Sequence, residues 1–203
     1  RSASMNIVFD VGNVLIRWYP ERAVAHHFPD PSEGLAYLER VGFAEWNLAN
    51  DGGRRMEEAV QALEAAHPGQ SAPLGEYVAH FAETIREPIE GTWVLLDQLK
   101  AAGHRLFAIT NFGAETWPVA LMVHPGLATT FEDVVVSGDE KLLKPAPEIF
   151  RLLCDRNGLE PADCFFIDDS AKNVTGAQAV GMAAHHFTTP ENLEADLRAR
   201  GLL

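Results

Sequence analysis

Short apolar runs that end in reactive or hydrogen-bonding groups constrain this chain more than any other feature. Asn6–Asp10 (NIVFD), Arg105–Thr110 (RLFAIT), Asp133–Val136 (DVVV) and Cys164–Asp168 (CFFID) are short and mostly apolar. They lack the polar alternation of a half-exposed strand, so they read as buried strands of a parallel sheet. Ala183–Phe187 (AAHHF) is a fifth candidate. Helical patterns lie between the later strands. Glu90–Ala102 carries Trp93, Leu95, Leu96 and Leu99 and stops at Gly103, a C-terminal stop signal. Pro147–Asn157 opens on a first-turn proline and ends before Gly158, and Ala171–Val180 ends before Gly181. Alternating strand and helix predicts an α/β fold with a doubly wound, mainly parallel sheet.

One interval breaks the rhythm. The stretch from Asp10 to Arg105 far exceeds the dozen or so residues that a crossover needs. Residues 19–85 read as helical, with candidates at Glu33–Val41, Met56–Ala66 and Leu74–Ile85. Breaks fall at Asp51-Gly52-Gly53 and His67-Pro68-Gly69. A helical insertion after the first strand sits above that strand's C-terminal edge, where open α/β sheets bind ligands. The expected organisation is a Rossmann-like core, residues 5–18 and 86–203, with a helical cap over residues 19–85. Residues 1–4 (RSAS) read as a remnant of an expression vector. No internal repeat or low-complexity segment is present.

Composition narrows the function classes. No run approaches 18 apolar residues, which argues against a membrane span. The formal net charge of −13 gives no electrostatic footprint for nucleic acid or an anionic membrane. Two cysteines, Cys154 and Cys164, form no close-spaced pair and read as buried free thiols of a cytoplasmic protein. The same negative charge repels anionic substrates at long range, so a phosphate site here must be locally positive.

Parallel strands bring Asp10, Thr110-Asn111 and Asp168-Asp169 to one edge. Clustered carboxylates cannot all stay ionised unaided. Two like charges about 4 Å apart repel by roughly 4 kcal/mol at an effective dielectric near 20. Either a pKa rises strongly or a cation sits among them. Hard carboxylate oxygens, with no paired cysteines, favour Mg²⁺ over zinc.

Four segments in order, FDVGNVL (Phe9–Leu15), ITN (Ile109–Asn111), KP (Lys144-Pro145) and FIDDSAKN (Phe166–Asn173), resemble the motifs of haloacid dehalogenase-like hydrolases. The resemblance runs from about Asn6 to the C-terminus. The start and the acidic pair look most like bacterial phosphatases of sugar 1-phosphates, such as α-D-glucose 1-phosphate. The resemblance implies a Mg²⁺-dependent hydrolase of a small phosphate ester. Asp10 would attack phosphorus and form an aspartyl-phosphate. Asp10, Asp169 and the carbonyl of Gly12 would hold Mg²⁺, with Asp168 either a second ligand or a partner behind the ligands. Thr110 would donate its hydroxyl to phosphate. The backbone N–H groups of Asn111 and Phe112 would help, where a helix is expected to start. Lys144 would pair with Asp10 and phosphate. Asn173 would orient a carboxylate.

One position departs from that pattern. Family phosphatases usually carry a second Asp two residues after the nucleophile, which protonates the leaving alkoxide and later activates water. Here the position is Gly12. Proton transfer of this kind contributes about 10²–10⁴-fold. Three readings follow: another group does this work, the enzyme is slow on poor leaving groups, or it is not an ordinary phosphatase. Asn13 cannot act as an acid; it is expected to bond its own turn or a phosphate oxygen.

Adjacent histidines, His26-His27 and His185-His186, point in different directions and are not read as metal sites. His124 is a candidate for the mouth of the site. In the insertion, Glu45-Trp46-Asn47 is a candidate for substrate contact, Trp46 alternatively being core. Trp18, Tyr19 and Trp117 are candidates to line the cleft. Two other functions compete: a metal-independent 2-haloacid dehalogenase with Asp10 as nucleophile, and a non-catalytic binding or regulatory protein of the same fold. The Asp168-Asp169 pair favours metal and phosphate over the first. Survival of nucleophile, threonine, lysine and acidic pair disfavours the second.

Overall fold

The computed structural model describes residues 4–203; of the tetrapeptide read as a vector remnant, residues 1–3 lie outside the described residues. Five strands form one parallel sheet: β1 (Asn6–Phe9), β2 (Arg105–Thr110), β3 (Asp133–Val136), β4 (Cys164–Asp168) and β5 (Ala183–His186). Their order is β3-β2-β1-β4-β5. After a 3₁₀ turn at Pro20–Val24 come helices α1 (Pro31–Arg40), α2 (Phe43–Asp51), α3 (Met56–Ala66), α4 (Ala72–Gly75) and α5 (Phe81–Thr84). The remainder are α6 (Glu90–Ala101), α7 (Trp117–Val123), α8 (Gly126–Thr129), α9 (Ser137–Glu140), α10 (Pro147–Asn157), α11 (Ala171–Ala179) and α12 (Pro190–Ala199).

Strand alternation explains why helices cover both faces. Ile7, Phe9, Leu106, Ala108, Phe165 and Ile167 point to one face, against Leu95, Leu96 and Leu99 of α6 and Leu193 and Leu197 of α12. Val8, Phe107, Ile109, Cys164 and Phe166 point to the other, against Ile149, Phe150 and Leu153 of α10 and Val174 and Ala177 of α11. Both faces are therefore apolar, which is why these strands show no polar alternation in sequence. Cys154 and Cys164 are buried and unpaired.

Register fixes what stands at the carboxyl edge. Phe9 pairs with Ala108 of β2 and with Ile167 of β4. One residue further on, Asp10 is level with Ile109 on one side and Asp168 on the other. The helices of residues 20–84 leave and rejoin the core through a paired stem. Arg17 N–H donates to the Glu87 carbonyl, Tyr19 N–H to Thr84, and Ile89 N–H to Leu15. Among the described residues, no helix is long and apolar enough to cross a membrane.

In the insertion, one expectation needs correction and one helix was not foreseen. The single helix expected over Leu74–Ile85 is two short ones, α4 and α5. Gly75 is a weak helix former, and the intervening chain closes 3₁₀-type bonds, Tyr77 N–H to Leu74 and Phe81 N–H to Val78. The sequence also gave no sign of α2, whose periodicity is weak; it begins after Gly42, which takes the left-handed conformation at φ 68.

Close approach at Gly138 ties α9 to the loop after β2. A Cβ there would stand 2.4 Å from Ala114 N and 2.7 Å from the Phe112 carbonyl oxygen, all backbone atoms that cannot swing away. Gly138→Ala is expected to destabilise the protein by about 1–3 kcal/mol, the range for overpacking. Gly75→Ala, where the nearest atom is 4.0 Å away, is expected to be neutral or stabilising. Chemical denaturation of both variants checks this contrast.

Candidate active site

Lys144 organises the carboxyl edge of the sheet. Its ammonium donates to Asp10 Oδ1 at 2.9 Å, the Ile109 carbonyl at 2.9 Å and Asp168 Oδ2 at 2.8 Å. An ammonium has three N–H donors, so all three are engaged. Its acceptors stand on β2, just beyond β1, and on β4, the level that the register dictates. Asn111 fixes the backbone of the lysine: Lys144 N–H donates to Asn111 Oδ1 at 2.9 Å, and Asn111 Nδ2 donates to the Lys144 carbonyl at 3.1 Å. α11 packs on the next residue, Gly176 being so close that a Cβ would lie 2.8 Å from the Pro145 carbonyl oxygen.

Each carboxylate has a different set of partners. Asp10 Oδ1 accepts from Val11 N–H at 2.8 Å as well as from Lys144. Asp168 is fully buried. It accepts Ser170 N–H at 2.8 Å on Oδ1, and on Oδ2 both Lys144 and Asn173 Nδ2, the latter at 3.1 Å. Asp169 is exposed, and His186 bonds its backbone carbonyl at 2.9 Å. One oxygen from each of Asp10, Asp168 and Asp169 lies within 4.8 Å of the others.

The electrostatics follow from three carboxylates facing one ammonium. Burial pushes the Asp10 carboxyl well above its ordinary range; Lys144 opposes this, and Asp168 and Asp169 add to it. Asp169, though exposed as a residue, has a carboxyl oxygen in this cluster, and partial burial raises that carboxyl, Asp168 adding and Asp10 and Lys144 opposing. Burial alone would lower Lys144, but Asp10 and Asp168 hold its proton on and raise it. The cluster therefore has a deficit of positive charge. Hard oxygen donors this close suit a divalent cation such as Mg²⁺.

A cleft of about 70 Å³ lies beside this edge, lined by Gly12, Ile16, Trp18, Asn47, Asp51, Tyr77, Phe81, Ile85, Asn111, Phe112 and Thr116. Thr110, at the end of β2, is buried, and its hydroxyl makes no hydrogen bond among the described residues. Trp18 and Asn47 line the cleft as the sequence suggested.

Other candidates lie elsewhere. Trp46 is core of the insertion: its indole N–H donates to the Ala59 carbonyl at 2.7 Å, and it packs edge-on to Tyr77. It is not placed to touch phosphate. Asn13, at φ 59, accepts Trp18 N–H at 3.1 Å and so serves its own turn. The helix expected at Asn111-Phe112 begins only at Trp117. The reason is that Phe112 is tied to α9: its N–H donates to Ser137 Oγ at 2.9 Å, and its carbonyl accepts Gly138 N–H at 3.0 Å. That N–H is thus not offered to an anion, and the helix terminus expected after β2 does not stand at the site. Trp117 packs edge-on to Phe112. His124 bonds the carbonyl of Ile85, a residue of the cleft wall.

Sequence reasoning missed three positions. The clamp of the Asn111 side chain on Lys144, the rivet of Ser137 between Phe112 and the Asp51 carbonyl, and Asp51 itself join segments far apart in the chain. In sequence, Asp51-Gly52-Gly53 read only as a break between helices.

Comparison with known proteins identifies the family. The family model "haloacid dehalogenase-like hydrolase" matches residues 5–181. Fructose-1-phosphate phosphatase YqaB of Escherichia coli (strain K12) is 34% identical over 184 residues, 88% of this chain and 93% of that protein. A HAD family enzyme of Bacteroides thetaiotaomicron, solved in complex with magnesium and inorganic phosphate, superposes with a TM-score of 0.71 at 20% identity, covering 92% of this chain and 96% of its own. The L-2-haloacid dehalogenase of Xanthobacter autotrophicus, solved with chloropropionic acid covalently bound, gives 0.69 at 17% identity, covering 99% of this chain and 85% of its own. These two structures share the fold. With four ordered motifs gathered at one sheet edge and a family match over most of its length, the chain belongs to the haloacid dehalogenase-like hydrolases.

Proposed function

We propose that the chain hydrolyses small-molecule phosphate monoesters through an aspartyl-phosphate on Asp10, with residues 19–85 acting as a cap and core residues 5–18 and 86–203 carrying the chemistry. The observation that supports this most is the Lys144 ammonium held between Asp10 and Asp168, with Asp169 beside them. A sugar phosphate is the favoured substrate class, the phosphatase of fructose 1-phosphate being 34% identical. Two unpaired thiols suit the reducing cytoplasm.

Asp10 attacks phosphorus as the ester oxygen departs. Its Oδ1 is held by Val11 N–H and Lys144, which orients the carboxylate before substrate arrives. The Thr110 hydroxyl donates to a phosphoryl oxygen, and the Asn111 N–H donates to another. Lys144 acts on the phosphoryl group through its charge, its donors being taken by protein acceptors. Asp168 keeps Lys144 in place and is itself oriented by Asn173 and Ser170 N–H. Asp10 and Asp169, with the Gly12 carbonyl, would hold Mg²⁺, which when bound offsets the excess negative charge of carboxylates and phosphate.

Purified protein is expected to release phosphate from p-nitrophenyl phosphate with Mg²⁺, to stop with EDTA, and to be inactive as Asp10→Asn. It is expected to release no halide from 2-chloropropionate. Halide release insensitive to EDTA would install the dehalogenase reading, and no turnover of a broad panel of phosphate esters would favour a binding protein. Lys144→Met should lower stability by about 3–5 kcal/mol in urea denaturation, since it leaves buried Asp168 without its counter-charge. It should also abolish turnover. Unchanged stability would mean the ammonium does not hold this edge together.

A further inference from the structure

Nothing on Gly12 can move a proton, yet the space beside it is open: a Cβ built there meets no atom within 4 Å. Asp51 lines the same cleft as Gly12. It is the last residue of α2, and its backbone is fixed to the core. Ser137 Oγ donates to its carbonyl. The following Gly53, at φ 110, lies so close that a Cβ would meet Lys141 Cγ at 2.8 Å. The carboxylate of Asp51, by contrast, has only a long contact from Asn47 Nδ2, at 3.5 Å.

Stability does not account for an aspartate here. A carboxylate at a helix C-terminus opposes the helix dipole, and α2 has no basic residue in its last turn. Burial pushes the Asp51 carboxyl up to about 7, with Lys144 the opposing charge, so both protonation states are populated near neutral pH. The ionisable groups facing it are Lys144 and Tyr77 and, along the adjoining pocket, Arg54, Arg55 and Glu115. The Tyr77 hydroxyl is buried, lines the same cleft and has no partner among the described residues. An unsatisfied polar group of this kind points to a ligand in the cleft.

We propose that Asp51, supplied by the cap, is the general acid and base that Gly12 cannot be; this rests on the phosphate-ester reading above. In the first half-reaction the bond from Asp10 oxygen to phosphorus forms and the bond to the ester oxygen breaks. The Asp51 proton passes to that oxygen, and an alcohol leaves. In the second, Asp51 carboxylate takes a proton from water, whose oxygen attacks phosphorus. The Asp10–phosphorus bond breaks, giving inorganic phosphate, free Asp10 carboxylate and protonated Asp51. The sum is ester plus water to alcohol plus phosphate.

The test is rapid-mixing kinetics with p-nitrophenyl phosphate and Mg²⁺ on the parent, on Asp51→Asn and on Asp51→Asn/Gly12→Asp. Nitrophenolate needs little help to leave, so Asp51→Asn should still phosphorylate Asp10. Its dephosphorylation should slow by about 10²–10⁴-fold. The expected result is a burst equal to the active sites, a slow steady state, and phosphorylated Asp10 in the mass spectrum of acid-quenched enzyme. Gly12→Asp in that background should restore steady-state turnover by at least about tenfold. The burst counts folded sites, so misfolding cannot imitate it. A parental steady-state rate in Asp51→Asn, or a slower rate with neither burst nor phosphoenzyme, would overturn the proposal. A parent that turns over no phosphate ester would instead overturn the reading on which it rests.

Discussion

The Lys144 ammonium reaches three neighbouring strands at one level: Asp10 beyond β1, the Ile109 carbonyl on β2 and Asp168 on β4. Burying that charge alone would cost several kcal/mol, and so would burying either carboxylate. Only the trio in register makes each tolerable, so strand register and the geometry of this charged cluster are one constraint. The surrounding structure is arranged to keep the lysine there. Asn111 bonds both its N–H and its carbonyl, and Gly176 lets α11 lie directly on Pro145.

This arrangement also answers how a chain of net charge −13 accommodates a phosphate ester. Long-range attraction is absent, and the helix terminus expected after β2 is not there, because Phe112 is bonded to Ser137 and Gly138. Positive charge is left to Lys144 and to the cation that the proposed mechanism would place among carboxylates which burial and mutual repulsion have made proton-hungry. Selectivity is then a local matter. The cleft combines apolar Trp18, Phe81, Ile85 and Phe112 with polar Asn47, Asp51 and Thr116.

The strands and the residues at their ends were legible because burial on both faces demands apolar runs, and a carboxylate at the end of such a run stands out. The helices α10 and α11 were legible from their terminal proline and glycine signals. Residues whose part depends on what the backbone does locally were not. Phe112 N–H is lost to Ser137, Asn13 to its own turn and Trp46 to the Ala59 carbonyl. None of these partners is near in the motif that suggested the role, apart from Trp18 beside Asn13. Asp51 was unreadable for the opposite reason: in sequence it is one acid before two glycines, and only the docking of α2 on the core brings it to the cleft that Gly12 also lines.

Asp51 of the insertion and Gly12 of the core line one cleft, and the proposed mechanism centres on a cation that Asp10 and Asp169 would hold beside it. Crystals grown with Mn²⁺ in place of Mg²⁺ test this most directly through anomalous scattering. The account predicts one peak bridging Asp10 and Asp169 oxygens at about 2.0–2.2 Å, with Lys144 still bonded to Asp168. A peak ligated by Asp168 with Lys144 displaced, or no peak while Asp10 and Asp169 remain apart, would contradict it.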